Sequence, residues 1–153
     1  MNKEIAIETL LDLLKRGNSA EISASGYSMF PTLRPGDRVL VSPIAENESP
    51  VPGEILIIKT DTILVLHRLI EIRKNNETDK VFITRGDCMN ESDSPVKSDQ
   101  IVGITHSFTR NNRQRVLGRR IPAKRAYKIN RVMLWIWGKG VRFGVRGMRH
   151  QGI

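Results

Sequence analysis

Between Ser19 and Phe108 the chain is divided by Gly, Pro, Asn and Asp into short runs of β-branched and apolar residues: Glu21–Ser25, Arg38–Ser42, Glu54–Lys59, Ile63–Arg73, Lys80–Arg85 and Gln100–Phe108. Most of these runs are too short for stable helices, and their separators are the residues that supply turn geometry. The spacing predicts a mainly β fold with mostly antiparallel pairing. Within Ile63–Ile72 the run is apolar on both faces except for His67, Arg68 and Glu71. Such a strand is expected to be covered on both sides, and polar groups inside it need a reason to be there.

Helical patterns flank this region. From Lys3 to Arg16, Ile5, Ile7, Leu10, Leu11, Leu13 and Leu14 recur at near-helical spacing, and Gly17-Asn18 is a stop signal. A helix-turn-helix DNA reader would require two or three such helices here, and there is one. Downstream, an apolar stretch from Val132 to Trp137 lies among arginines and predicts a basic amphipathic helix over about Ala123 to Trp137, with a Gly/Arg-rich end beyond it. The chain of 153 residues fits one domain. Its expected parts are an N-terminal amphipathic helix over 1–18, a β-domain over 19–108 and a basic tail over 109–153.

Charge sharpens that division. The net charge is +9, yet 13 of the 25 Lys and Arg residues and none of the 16 acids lie after residue 108. That leaves residues 1–108 with 12 basic and 16 acidic groups, a net of −4. Cys88 is the sole cysteine, which excludes an internal disulfide and a multi-cysteine zinc site. Glu4, Glu8 and Asp12 interrupt the apolar pattern of residues 1–17, so no signal peptide or membrane span is expected there. Any membrane contact should be peripheral, and the expected location is the membrane periphery or the cytoplasm.

The segment from Ser25 to Asp37, Ser-Gly-Tyr-Ser-Met-Phe-Pro-Thr-Leu-Arg-Pro-Gly-Asp, is the most unusual in the chain. A serine hydroxyl becomes a useful nucleophile only when held on a sharp backbone feature beside a base. Gly26 and Pro31 bracket Ser28 in a way that can build such a turn, with nearby N–H groups able to receive an oxyanion. Taken singly, each element has a plainer reading. Ser28 belongs equally well to an ordinary turn, His67 to a satisfied core, Asp93 in Ser92-Asp93-Ser94-Pro95 to a turn former and Asp87 to a loop cap.

Three segments read in order carry more. Ser28-Met29-Phe30-Pro31-Thr32-Leu33 with Gly36-Asp37, then Leu66-His67-Arg68-Leu69, then Thr84-Arg85-Gly86-Asp87 with Asp93 six residues on, resemble the motif boxes of type I signal peptidases. The likeness covers about residues 22–105 and is nearest to the endoplasmic-reticulum and archaeal branch, where His replaces the lysine base. It implies a coiled antiparallel β-sheet, shared with the C-terminal domain of self-cleaving SOS repressors. It also implies a serine endopeptidase acting through an acyl-enzyme, with Ser28 as nucleophile, His67 as base and Asp93 as the group orienting His67. Asp87 is a second carboxylate of the pattern, structural or sharing that role. An imidazole is largely neutral at pH 7 and accepts a proton without burial, which suits it to this task. His106 and His150 have no comparable context.

The chain departs from the family twice. The helix before the serine box is short and interrupted by acids where the family usually has a membrane anchor, and Tyr27 stands between Gly26 and Ser28 where the family has Gly next to Ser. The second feature resembles the SOS repressors, whose base is a lysine and which cut themselves ahead of the serine; Ser19-Ala20 is the comparable bond here. Implied partners are an extended leader or signal segment of a preprotein and a membrane-anchored subunit; no metal or organic cofactor is implied. For the tail, Trp135 and Trp137 favour peripheral contact with an anionic membrane over packing on the β-domain, and nucleic acid ranks third. A self-cleaving switch and a catalytically silent adaptor on the same fold remain the alternative readings.

Overall fold

A computed structural model describes residues 3–61, 63–74, 79–123 and 126–141. The first helix, α1, spans Lys3–Lys15, buries Leu10 and Leu14, and keeps Glu4 in its first turn, where a carboxylate meets the positive end of the helix dipole. It ends because Gly17 adopts a left-handed φ of 77°. Gly17 N–H then donates to Leu14 O and Asn18 N–H to Leu13 O, the paired bonds that close a helix C-terminus.

Among the described residues eight strands follow: β1 (Ala20–Ser23), β2 (Arg38–Ser42), β3 (Ile55–Lys59), β4 (Leu64–Lys74), β5 (Lys80–Arg85), β6 (Val96–Lys97), β7 (Ile101–Arg110) and β8 (Arg113–Val116). All pair antiparallel in one curled, half-barrel sheet of order β1-β2-β7-β3-β4-β5-β6, with β8 also on β7. The fold is therefore mainly β. The six expected runs all contain strands, displaced by no more than a few residues at their ends.

The unusual apolarity of β4 has a direct explanation. Leu64 and Leu66 join Ile55, Ile57, Leu10, Leu14, Met29 and Leu33 on one side of the sheet, whereas Leu69 joins Leu56, Ile58, Phe82, Val96 and Ile104 on the other. Successive side chains of a strand point to opposite faces, so two cores demand apolar residues at every position. Of the three exceptions, Glu71 is exposed, whereas His67 and Arg68 are themselves buried. They therefore face opposite sides as well.

Two strands fall outside the expected set. β6 is only two residues long, and β8, with sequence Arg-Gln-Arg-Val, is exposed throughout and carries no alternation that would separate it from the basic tail. A two-residue turn at Asn111 and Asn112, both at positive φ, folds β8 back on β7. The sheet thus continues past residue 108, where the sequence had placed the start of the tail. The last helix, α2, runs over Ala126–Val141, about one turn later than expected. Its Leu134 packs against Phe30 and Cys88, and Asn130 is buried beside it. The Gly/Arg-rich end and His150 lie outside the described residues.

Candidate active site

Ser28 sits on the turn that follows β1. Phe30 N–H donates to Tyr27 O and Leu33 N–H to Met29 O, which coils residues 27–33 tightly, with the Phe30–Pro31 bond cis. Met29, Phe30 and Leu33 are buried, so their side chains hold the turn down while Ser28 stays half-buried at its head. Polar contacts fix it from three sides. Cys88 N–H donates to Ser28 O at 2.8 Å, Thr32 Oγ1 donates to Asp87 Oδ2 at 2.5 Å, and the Arg110 guanidinium donates to Thr32 O. A small pocket beside Ser28 is lined by Ala24, Gly26, Met29, Leu33 and Leu66.

Gly36 and Asp37 complete the base of this turn. Gly36 takes a φ of 88°, a conformation that L side chains rarely adopt. Asp37 accepts from Arg34 N–H and is clamped by both Nε and NH2 of Arg110. The Ser28 segment is therefore tied to β7 at its far end and to the corner after β5 at its near end. Rigidity of that kind is what a positioned nucleophile requires.

His67 lies on β4 with 1% of its surface exposed. Its Nδ1 meets Asp93 Oδ2 at 2.5 Å, and the same carboxylate oxygen accepts from Thr84 Oγ1 at 2.7 Å. Asp93 is brought back to the sheet by its own N–H, which donates to Thr84 O at 2.8 Å. A carboxylate on Nδ1 keeps the proton there and leaves Nε2 as the basic nitrogen. The arrangement can hold an imidazole in one tautomer and stabilise it once protonated.

Asp87 occupies a different setting. Its two oxygens receive Nε and NH2 of Arg68 at 2.8 and 2.7 Å, both side chains being almost wholly buried, and Asn130 Nδ2 donates to its backbone oxygen. Arg68 spends its third nitrogen, NH1, on Gly53 O and Gly118 O. Gly53 must be glycine, because a Cβ there would lie 2.0 Å from Arg119 O. Asp87 thus joins β4, the Ser28 turn and α2 without touching His67 through these bonds. Of the two carboxylates, Asp93 is the one on the imidazole.

The two sets meet at Gly86. Arg68 is paired with Arg85 across the sheet, so the corner from Gly86 to Cys88 leaves β5 at the level of His67. Gly86 packs so closely under the serine turn that an added Cβ would lie 2.6 Å from Ser28 O. Leu66, the residue before His67, lines the pocket beside Ser28. The chain therefore brings Ser28, the Asp87 corner and Leu66 into one neighbourhood, with His67 the next residue of β4, on the sheet face opposite Leu66.

Sequence reasoning had left out Arg68, Thr84, Thr32 and Asn130. A buried arginine inside an apolar strand was visible as an anomaly, but its partner could be Asp87, Asp93 or neither. Thr84 and Thr32 carried no signal, because threonine is at home in any strand or turn. Glu54, the first residue of an expected β run, accepts from Val51 N–H and from Arg119. Scanned against models of known protein families the chain matches none, and a search of curated proteins gives no match.

Proposed function

We propose that this protein is a serine endopeptidase of the type I signal peptidase kind, in which Ser28 attacks a peptide carbonyl and His67 takes its proton. The observation that carries the reading is the buried His67–Asp93 contact at 2.5 Å, shared with Thr84, on the strand whose Leu66 lines the pocket at Ser28. In the reaction, Ser28 Oγ bonds to the carbonyl carbon as its proton passes to His67, and the protonated ring then gives that proton to the leaving amine. Water reverses the sequence, releasing the acyl group and restoring Ser28. Asp93 holds the ring throughout, and N–H groups of the serine turn stabilise the oxyanion.

The coiled antiparallel sheet and the box order support kinship with that family and with the SOS-repressor C-terminal domain. The pocket beside Ser28 is small and mostly apolar, which suits a short side chain next to the cut. β1, a terminal strand of the sheet, runs straight into the serine turn and offers an edge for an extended leader or signal segment. Self-cleavage at Ser19-Ala20 is disfavoured, since Ala20 pairs with Val41 and Ser19 Oγ bonds Ser42 Oγ at 2.9 Å. Cutting there would require β1 to leave the sheet.

Replacing Ser28 by Ala in a cleavage assay on leader peptides should abolish turnover, with an unchanged melting temperature to certify the fold. Full turnover by Ser28→Ala removes the nucleophile. Incubating the purified protein alone separates the two hydrolytic readings: a switch clips itself near Ser19-Ala20 at a rate independent of concentration, whereas a processing enzyme stays intact.

A further inference from the structure

Helix α2 buries only part of its circumference. Asn130 and Leu134 face the protein, whereas Ile129, Val132, Met133 and Ile136 are all exposed, Ile129 and Ile136 by more than 60%. Their spacing of i, i+3, i+4 and i+7 makes them one continuous stripe. Isolated surface apolar residues are ordinary, but four aligned on one face are a surface built to be covered.

Charge identifies what covers it. The stripe lies in the part of the chain after residue 108 that has 13 Lys and Arg and no acid, with Lys128 and Arg131 exposed on α2 itself and Lys124 and Arg125 preceding it in sequence. A second copy of this chain, placed symmetrically, would bring two such basic segments together with no carboxylate between them. An anionic lipid surface instead offers acyl chains to the stripe and phosphates to the cations. Trp135, about half exposed, is a residue type that settles at the headgroup level.

Length decides how the helix sits. Its 16 residues extend about 24 Å, short of the roughly 30 Å of a bilayer core, and no helix among the described residues is long and apolar enough to cross. We propose that α2 lies along an anionic membrane surface, with Ile129, Val132, Met133 and Ile136 in the acyl boundary and the neighbouring basic residues among the headgroups.

The opposite side of the same helix reaches the serine turn. Leu134 packs on Phe30 and Cys88, and Asn130 Nδ2 donates to Asp87 O at 2.9 Å. Docking therefore places the serine turn, through Phe30, against the inner side of the helix that meets the lipid, where peptide segments leaving a membrane would be met. Membrane docking stands apart from the catalytic reading; only this consequence for the substrate rests on it.

The test is cosedimentation of the full chain with vesicles of phosphatidylcholine alone and of phosphatidylcholine mixed with phosphatidylglycerol. Binding to the mixed vesicles only, weakened by salt, is expected. The combined substitutions Ile129→Ser, Val132→Ser and Ile136→Ser should lower it by about tenfold or more, since each removes a side chain that full burial would favour. These positions are exposed, so circular dichroism and melting should match the parent. Binding that survives the triple variant, or absence of binding to either vesicle, overturns the proposal. So does a concentration-dependent dimer that the triple variant abolishes without any lipid binding. Ser28→Ala should bind vesicles like the parent, which keeps failure of docking distinct from failure of catalysis.

Discussion

Two buried side-chain pairs lie on opposite faces of the sheet in this protein, joining the same stretches of chain. His67 and Arg68 are consecutive on β4, and Asp93 and Asp87 both come from the segment after β5, yet the pairs serve opposite ends. Arg68–Asp87 is closed: Nε and NH2 of the guanidinium end on the buried Asp87 carboxylate, NH1 ends on the Gly53 and Gly118 carbonyls, and Thr32 completes the carboxylate. His67–Asp93 joins an imidazole to a carboxylate that is still partly exposed. A fixed cation can only hold structure together. An imidazole held by a carboxylate can also do chemistry.

Exchanging the carboxylates one at a time breaks this comparison most sharply. Asp93→Asn should leave melting nearly unchanged but reduce kcat by about 10⁴, as the loss of the orienting carboxylate does in a working triad. Asp87→Asn should act in the other sense, costing about 3–5 kcal/mol of stability because the buried Arg68 charge loses its counter-ion. Paired melting and turnover measurements on the two variants check both. Equal effects of both substitutions on stability, with none on kcat, would reduce His67–Asp93 to a second scaffold pair.

The contrast also explains what could be read from the chain before folding. Alternation and turn residues located the six main strands, and the doubled apolarity of Ile63–Ile72 announced two cores, because strand geometry alone forces both. The choice between Asp87 and Asp93 was not legible. It depends on which face of β4 each loop reaches, and on the return of Asp93 to Thr84 O, a long-range bond that no local pattern encodes. For the same reason β8 escaped notice, since its exposed Arg-Gln-Arg-Val has neither alternation nor a hydrophobic face. The roles of Arg68 and Asn130 as tertiary ties belong to this class. A buried polar group declares that it has a partner, but not which one.

A smaller effect concerns Cys88, which stands where the serine turn, the Asp87 corner and α2 converge. Burial pushes its thiol up to about 11, with the Arg131 charge lowering it and the Asp87 charge raising it. The folded form thus holds the thiol proton to higher pH than the unfolded chain, whose value lies near 9. Its contribution to stability is present below that unfolded value and is lost as the pH rises toward 11. Melting temperature should fall more steeply over that window in the parent than in Cys88→Ala. Equal slopes would mean that the thiol is solvated as well in the fold as out of it.

The most direct measurement is a double-mutant cycle on Ser28 and His67, read as kcat on a leader peptide. Groups that act as one unit fail together, so Ser28→Ala and His67→Ala should each reduce kcat by about 10⁴ or more, and the double variant should be no slower than either. Independent losses that multiply, or a His67→Ala protein that turns over like the parent, would contradict a hydroxyl and an imidazole working in concert.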